Sequence, residues 1–247
     1  MHYLLRVALT ANLLLTFTPQ WPVFANDLEG KSIGKRLENA LNKEELVPLM
    51  DLFPQQEGFD LASRYKVFLK AFPNAKWTIN EAKPLKDGRQ SLEIIIAAQR
   101  RLQNTQYSIK ARQVLGIKTL DGKIVDQELM SEQTIIQKSE SPLQISLNIP
   151  EAVLTGTNYD FDIILEKPLG DAIIAGGLTD ISSKQIRNQV SPNIELKPLG
   201  AGGLFKSVKA PINAVVQNWA AILAHPRGLI SITKMVRIVS KESDLEL

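Results

Sequence analysis

The chain of 247 residues has no cysteine and only two histidines, one of which, His2, lies at the very start. Disulfides, thiolate zinc sites, iron–sulfur clusters and cysteine nucleophiles are therefore excluded. A histidine-based triad or multi-histidine metal centre has almost nothing to be built from. Aromatic residues are sparse at 6% and the net charge is only +3. That surplus is spread over many groups, and Arg100-Arg101 would point to opposite faces of an extended strand. A basic stripe suited to nucleic acid is missing, so nucleic acid is not an expected partner. What remains is an ordinary globular composition, 44% apolar and 22% charged, of a length that suits two modest domains or one large one.

The first 25 residues read as an export signal. Met1-His-Tyr-Leu-Leu-Arg6 carries one positive charge and precedes the apolar run Val7 to Phe17. Pro19, Pro22 and then Val23-Phe24-Ala25 follow, with cleavage expected after Ala25. The apolar run falls well short of the ~20 residues that cross a bilayer. No later stretch forms a second span, and no cysteine is present to carry a lipid. Loss of Arg6 with the leader lowers the net charge to +2. The expected destination is periplasmic, lumenal or extracellular.

Residues 26–140 read as an α+β domain. Ser32 can cap a short helix bearing Ile33, Leu37, Ala40 and Leu41. Asn42 with Glu45 has the form of a capping box opening a second segment to Phe53, in which Pro48 implies a kink or a short helix. A clearer helix, about Asp60 to Phe72, places Leu61, Tyr65, Phe68 and Phe72 in one stripe and stops at Pro73. From Lys76 the period becomes alternating, with strands broken at Asp87-Gly88 and Asp121-Gly122. Leu92, Ile94, Ile96 and Ala98 share one face. Two helices followed by a strand meander predict helices on one face of a curved antiparallel sheet.

Asn42-Lys-Glu-Glu-Leu-Val-Pro-Leu-Met-Asp-Leu-Phe53, a helix ending in Ala71-Phe-Pro-Asn-Ala-Lys-Trp77, and strands joined by Asp-Gly turns resemble the nuclear transport factor 2-like superfamily over about residues 32–138. The Phe-Pro-Asn-x-x-Trp passage is similar to its polyketide-cyclase-like branch. The resemblance implies a cone-like fold enclosing a pocket. Enzymatic members usually place an Asp or His, often with a Tyr, in that pocket. No histidine lies in this segment, and no acid maps onto a catalytic position.

Ser139-Glu-Ser-Pro142 is the polar junction at which the second domain, residues 141–247, is expected to begin. Beyond it, alternation at Thr157 to Leu165 and about six further short strands with Gly/Pro punctuation predict an all-β sandwich. The strand spacing over about residues 142–240 resembles an immunoglobulin-like domain without the paired cysteines. In the last strand Ile230, Ile232, Val236 and Ile238 share a side, and Pro211 to Gln217 could instead be a helical turn. Lys-Pro-Leu-Gly recurs at 167–170 and 197–200, which repeated turn chemistry explains.

The chemical motifs are thin. Gly200 to Ser207 misses a phosphate-binding loop because Phe205 stands where a glycine is needed. Asp160 and Asp162, with Glu166 and Asp171 nearby, lack a ligand loop for calcium, and His225 lacks a serine elbow to partner it. Neither a metal, a cofactor nor a catalytic residue is assigned. Arg100 shares by parity the face of Leu92, Ile94 and Ile96, where a charge must be paired, exposed at the strand end or placed in a cavity. On the cone reading Arg100, Tyr65, Trp77 and Tyr107 could line a pocket for a small acidic, amphipathic ligand. On the plain reading Arg100 reaches water and the aromatics are core. The expected function is an exported, non-enzymatic binding or assembly protein acting on another exported or membrane-associated protein. The alternatives are a small-molecule carrier, and a cyclase- or isomerase-like pocket enzyme with Tyr65 polarising a carbonyl.

Overall fold

The computed structural model describes residues 32–139, 143–166, 173–188, 190–200 and 202–247. The leader with its cleavage after Ala25, residues 140–142 of the polar junction, the first Lys-Pro-Leu-Gly copy and Asp171 lie outside them. The chain divides into two compact units. One contains the described residues up to Ala98 together with Lys110–Glu132. The other contains Gln99–Ile109 and Gln133–Leu247.

The first unit begins with α1 (Ile33–Asn42), where Ser32 accepts a hydrogen bond from the Lys35 N–H at 3.3 Å. Its buried stripe of Leu37, Ala40 and Leu41 faces β1 (Lys76–Ala82). α2 (Leu46–Asp51) is a single short helix. Pro48 sits in its first turn, where a missing N–H costs nothing. The expected Asn42–Glu45 capping box does not form: Asn42 ends α1, and Glu45 caps α2 without a side-chain bond. α3 (Gln55–Ala71) starts five residues earlier than its apolar stripe suggests. Gly58 lets α3 approach α2, since a Cβ there would stand 2.7 Å from the Met50 carbonyl oxygen. Tyr65, Phe68 and Trp77 form an edge-packed aromatic cluster, with centroids 6.0 Å apart for Tyr65–Trp77 and 5.4 Å for Phe68–Trp77. Truncating Phe68 to alanine in such a cluster costs roughly 3–5 kcal/mol.

α1 also closes the open edge of β1. The Glu38 carboxylate accepts the Ile79 N–H at 2.9 Å. The Asn42 side chain accepts the Trp77 N–H at 2.9 Å and donates to its carbonyl at 2.8 Å. These are the backbone groups an edge strand would otherwise offer to another chain. β2 (Gln90–Leu102), β3 (Thr105–Leu120) and β4 (Lys123–Ser139) follow. Asp121 and Gly122 both take positive φ, the primed turn that Asp-Gly announces. Charged side chains pair on the sheet: Glu93 of β2 with Arg112 of β3 at 2.7 Å, and Arg89, in the turn before β2, with Glu128 of β4 at 2.7 Å and with Asp87 of the same turn at 2.6 Å.

The second unit adds β5 (Ile145–Asn148), β6 (Ala152–Leu154), β7 (Asn158–Leu165), β8 (Ile174–Ile181), α4 (Ser183–Arg187), β9 (Lys197–Leu199), β10 (Gly203–Lys209), β11 (Val215–His225) and β12 (Gly228–Val239). β10-β7-β5 form a three-stranded sheet. Its inward residues Tyr159, Phe161, Ile163 and Leu165 share one core with Trp219, Ala221 and Leu223 of β11 and Ile230, Ile232, Val236 and Ile238 of β12. Two β layers therefore enclose this core. Sequence reasoning missed β6 and α4, and Pro211 to Gln217 runs into β11 rather than forming a helical turn.

The expected α+β cone followed by a separate all-β sandwich is overturned by the strand order. Among the described residues β1-β2-β3-β4-β12-β11-β8-β9, with β6 added in parallel beside β12, make one nine-stranded sheet. β4 continues past Glu132 and pairs with β12 from Gln133↔Lys234 to Ser139↔Gly228. The meander is therefore not closed off as a cone, and strands outnumber helices throughout. The physical reason lies in β4. It does not stop at a closed rim but runs on through Gln133–Ser139, whose backbone pairs with β12.

Candidate interaction surface

A polar row crosses the core-facing side of the large sheet in the second unit. Register aligns Gln133 of β4, Lys234 of β12, Trp219 of β11 and Asp180 of β8. The Lys234 side chain is 0% exposed and its ammonium pairs with Glu151, which is 45% exposed. A buried ammonium needs that partner, because an unpaired charge in an apolar interior is several kcal/mol too costly. Beside it the Trp219 indole N–H donates to the Tyr159 hydroxyl at 2.9 Å, and that hydroxyl donates to Gln217 Oε1 at 3.0 Å. Phe161 packs on Trp219 with ring centroids 5.8 Å apart, and the Lys206 ammonium lies 5.7 Å from the indole centroid. Burial raises the Tyr159 pKa, a shift partly opposed by the Trp219 bond. The phenol therefore stays protonated. Lys234, Trp219, Tyr159 and Gln217 are each committed to a partner, and the Tyr159–Trp219 bond fastens the three-stranded sheet to the large one.

The outward-facing counterpart is a tip at the start of β11. Ile212 is 82% exposed, Val215 44% and Val216 50%. The backbone holds them there. The Pro211 carbonyl accepts the Gly156 N–H at 2.9 Å, the Thr157 carbonyl accepts the Ala210 N–H at 2.8 Å, and Thr155 N–H reaches Val239 O at 2.9 Å. Gly156 takes φ +74°, a conformation that favours glycine. Across the ladder from Val216, Arg237 donates from its guanidinium to the carbonyls of Asp244 and Leu245 at 2.9 and 3.0 Å, anchoring the segment after β12. Ile212, Val215 and Val216 are thus apolar side chains that the loop and the start of β11 leave to solvent.

Two edges of the second unit, β9 beside the His225 end of β11 and β10 in the smaller sheet, are guarded against strand addition. β9 carries Pro198, and edge strand β10 turns Lys206 to the inner side, in phase with buried Leu204 and Val208. Proline and inward charge both discourage edge pairing.

The sequence-derived site residues divide between the units. Tyr65 and Trp77 meet in the aromatic cluster of the first unit, both fully buried, and the Tyr65 hydroxyl donates to the Leu41 carbonyl. Burial, reinforced by Glu44, raises the Tyr65 pKa far above its ordinary value. Arg100 and Tyr107 belong to the Gln99–Ile109 segment of the second unit. Both are half-buried, and the Lys138 ammonium sits 5.9 Å from the Tyr107 ring centroid. Asp160 and Asp162 lie on the outer face of β7, opposite Ser207 and Phe205 of β10, and Asn148 donates to Asp162 at 3.3 Å. Gly203–Lys209 is a strand, so the phosphate-loop-like stretch has no helix N-terminus. Among the described residues no group of His, Asp and Glu is arranged to hold a metal ion. No helix there is long and apolar enough to cross a membrane.

Sequence reasoning missed Lys234, although the signal was present. It interrupts the apolar series Ile230, Ile232, Val236 and Ile238 by the same parity that drew attention to Arg100. The Tyr159–Trp219 pair, in contrast, has no local signature.

A family model described as "Domain of unknown function (DUF8623)" matches residues 140–239. That span contains the Tyr159–Trp219 fastening, Lys234 and the Pro211–Val216 tip. Comparison with curated proteins gives no match.

Proposed function

We propose that this chain is an exported, non-enzymatic binding or assembly protein of the cell envelope or a lumenal compartment, and that it engages a protein partner through the Pro211–Val216 tip. The observation that carries the reading is Ile212, exposed on a loop whose backbone is bonded in place on both sides. A pre-ordered apolar contact loses little conformational entropy on binding. The leader supports export. The absence of cysteine, the single histidine left after cleavage and the commitment of Lys234, Tyr159 and Gln217 to internal partners support recognition over catalysis.

A photo-crosslinking residue placed at 212 in the native cell tests this, with the same residue at 102 as control. A discrete protein adduct at 212 that is weak or missing at 102, in chain recovered from a non-cytosolic fraction, is the expected result. Equal labelling at both positions, no adduct at 212, or a chain confined to the cytosol would refute it.

A further inference from the structure

The β11–β12 hairpin has its tip-bearing start at one end and the turn His225–Gly228 at the other. In that turn the His225 Nδ1 accepts the Arg227 backbone N–H at 3.0 Å. Because Nδ1 is an acceptor, the neutral ring carries its proton on Nε2, which is buried without a hydrogen-bond partner. A second proton has only one place to go, Nδ1. There it would turn the acceptor into a donor aimed at another N–H.

We propose that the His225–Arg227 turn is an acid-released fastening: protonation of His225 breaks the Nδ1 bond and frees the hairpin end, while the ladder from Leu223↔Ile230 inward stays closed. Arg227 acts in the same direction, because a second positive charge in the turn is repelled by its guanidinium. The Arg227 side chain is in the turn itself. Lys138, on β4 beside β12, lies on the opposite face with its ammonium over Tyr107. Glu166, just after β7, is exposed, and its N–H bonds to the Gln144 carbonyl. Burial, then Arg227, lowers the His225 pKa below its ordinary 6.5. The folded ring therefore resists the proton that the opened turn accepts. The fastening is intact above about 6.5 and is lost as the pH falls from there through the lower folded value. Gly228 packs so closely on β4 that a Cβ would stand 2.5 Å from the Lys138 carbonyl, so the hairpin end has little room to refasten in another shape.

The Arg227 amide reads this directly. In an amide and histidine side-chain nitrogen NMR titration of the full chain, the neutral form should show Nε2–H imidazole and a protected Arg227 amide. On acidification that protection, corrected for intrinsic exchange, should fall by roughly tenfold for each unit separating the free and folded pKa values. His225→Asn places a non-titrating oxygen where it can accept the same N–H two residues on, as in an Asx-turn, and should make protection independent of pH. His225→Ala should leave the amide unprotected at every pH. The amides of Ala221 and Ile222 report whether each variant is folded. A flat Arg227 profile in the parent chain, or an identical acid loss in His225→Asn, would overturn the proposal.

Discussion

The side chain of Asn42 holds the backbone of Trp77 in both directions, accepting its N–H at 2.9 Å and donating to its carbonyl at 2.8 Å. Both groups are partly buried, so removing the carboxamide leaves a donor and an acceptor unpaired. Asn42→Ala should lower stability by about 1–3 kcal/mol, read from urea unfolding followed by tryptophan fluorescence. Dimers or higher species that grow with concentration would accompany it, because the freed β1 edge becomes a template for pairing.

Glu38 makes the same clamp dependent on pH. Its bond from the Ile79 N–H, then that from Lys35, lowers its pKa below the ordinary 4.5. A depressed carboxyl pKa contributes stability above the unfolded value and loses it as the pH falls through the folded value. The stability difference between the parent chain and Glu38→Gln should therefore be largest near neutral pH and shrink below 4.5. A difference unchanged into acid would contradict this.

Lys234 and Glu151 should behave asymmetrically. Glu151→Ala strands a buried ammonium and should cost toward the lower end of roughly 3–5 kcal/mol, since Glu151 itself retains water. Lys234→Met removes the charge that needs a partner and should cost less. The double variant should recover much of the Glu151→Ala loss, a coupling that a double-mutant cycle measures.

Trp219→Phe keeps the ring packing near Phe161 but deletes the indole donor to Tyr159. The hydroxyl retains Gln217, so the expected loss is about 0.5–1.5 kcal/mol. Trp219→Ala adds a cavity and should cost about 3–5 kcal/mol. Equal losses for the two variants would mean that the hydrogen bond, and not the packing, sets the cost.

Ile212→Asp alters a side chain that is 82% exposed. Stability should stay within about 0.5 kcal/mol of the parent chain, while crosslinking to the partner from the adjacent position 216 is lost. A folded variant that still crosslinks would remove the tip from the contact.

Local patterns were well written in the sequence. Leu61, Tyr65 and Phe68 mark a buried helix face, Asp121-Gly122 marks a primed turn, and Ile230 to Ile238 mark a strand side, because each depends on neighbours a few residues away. Asn42 shows where that legibility stops. Its type and its spacing from Glu45 signal a cap, yet its side chain is taken by a strand 35 residues on. The pairing of β4 with β12 was equally hidden, since register between distant strands leaves no periodic trace. Of the site, the parity of Lys234 was readable, whereas the Tyr159–Trp219 bond spans 60 residues and the exposure of Ile212 depends on loops that meet only in the fold.

The seam between β4 and β12 also determines where the chain can be cut. The family match begins at residue 140, one position after the strand that completes its ladder. A fragment trimmed to that match would leave the N–H and C=O groups of Gly228 to Lys234 bare along what is then an edge of its sheet. It would be sticky and poorly soluble, whereas a fragment that keeps Gln133–Ser139 in place carries its own bandage.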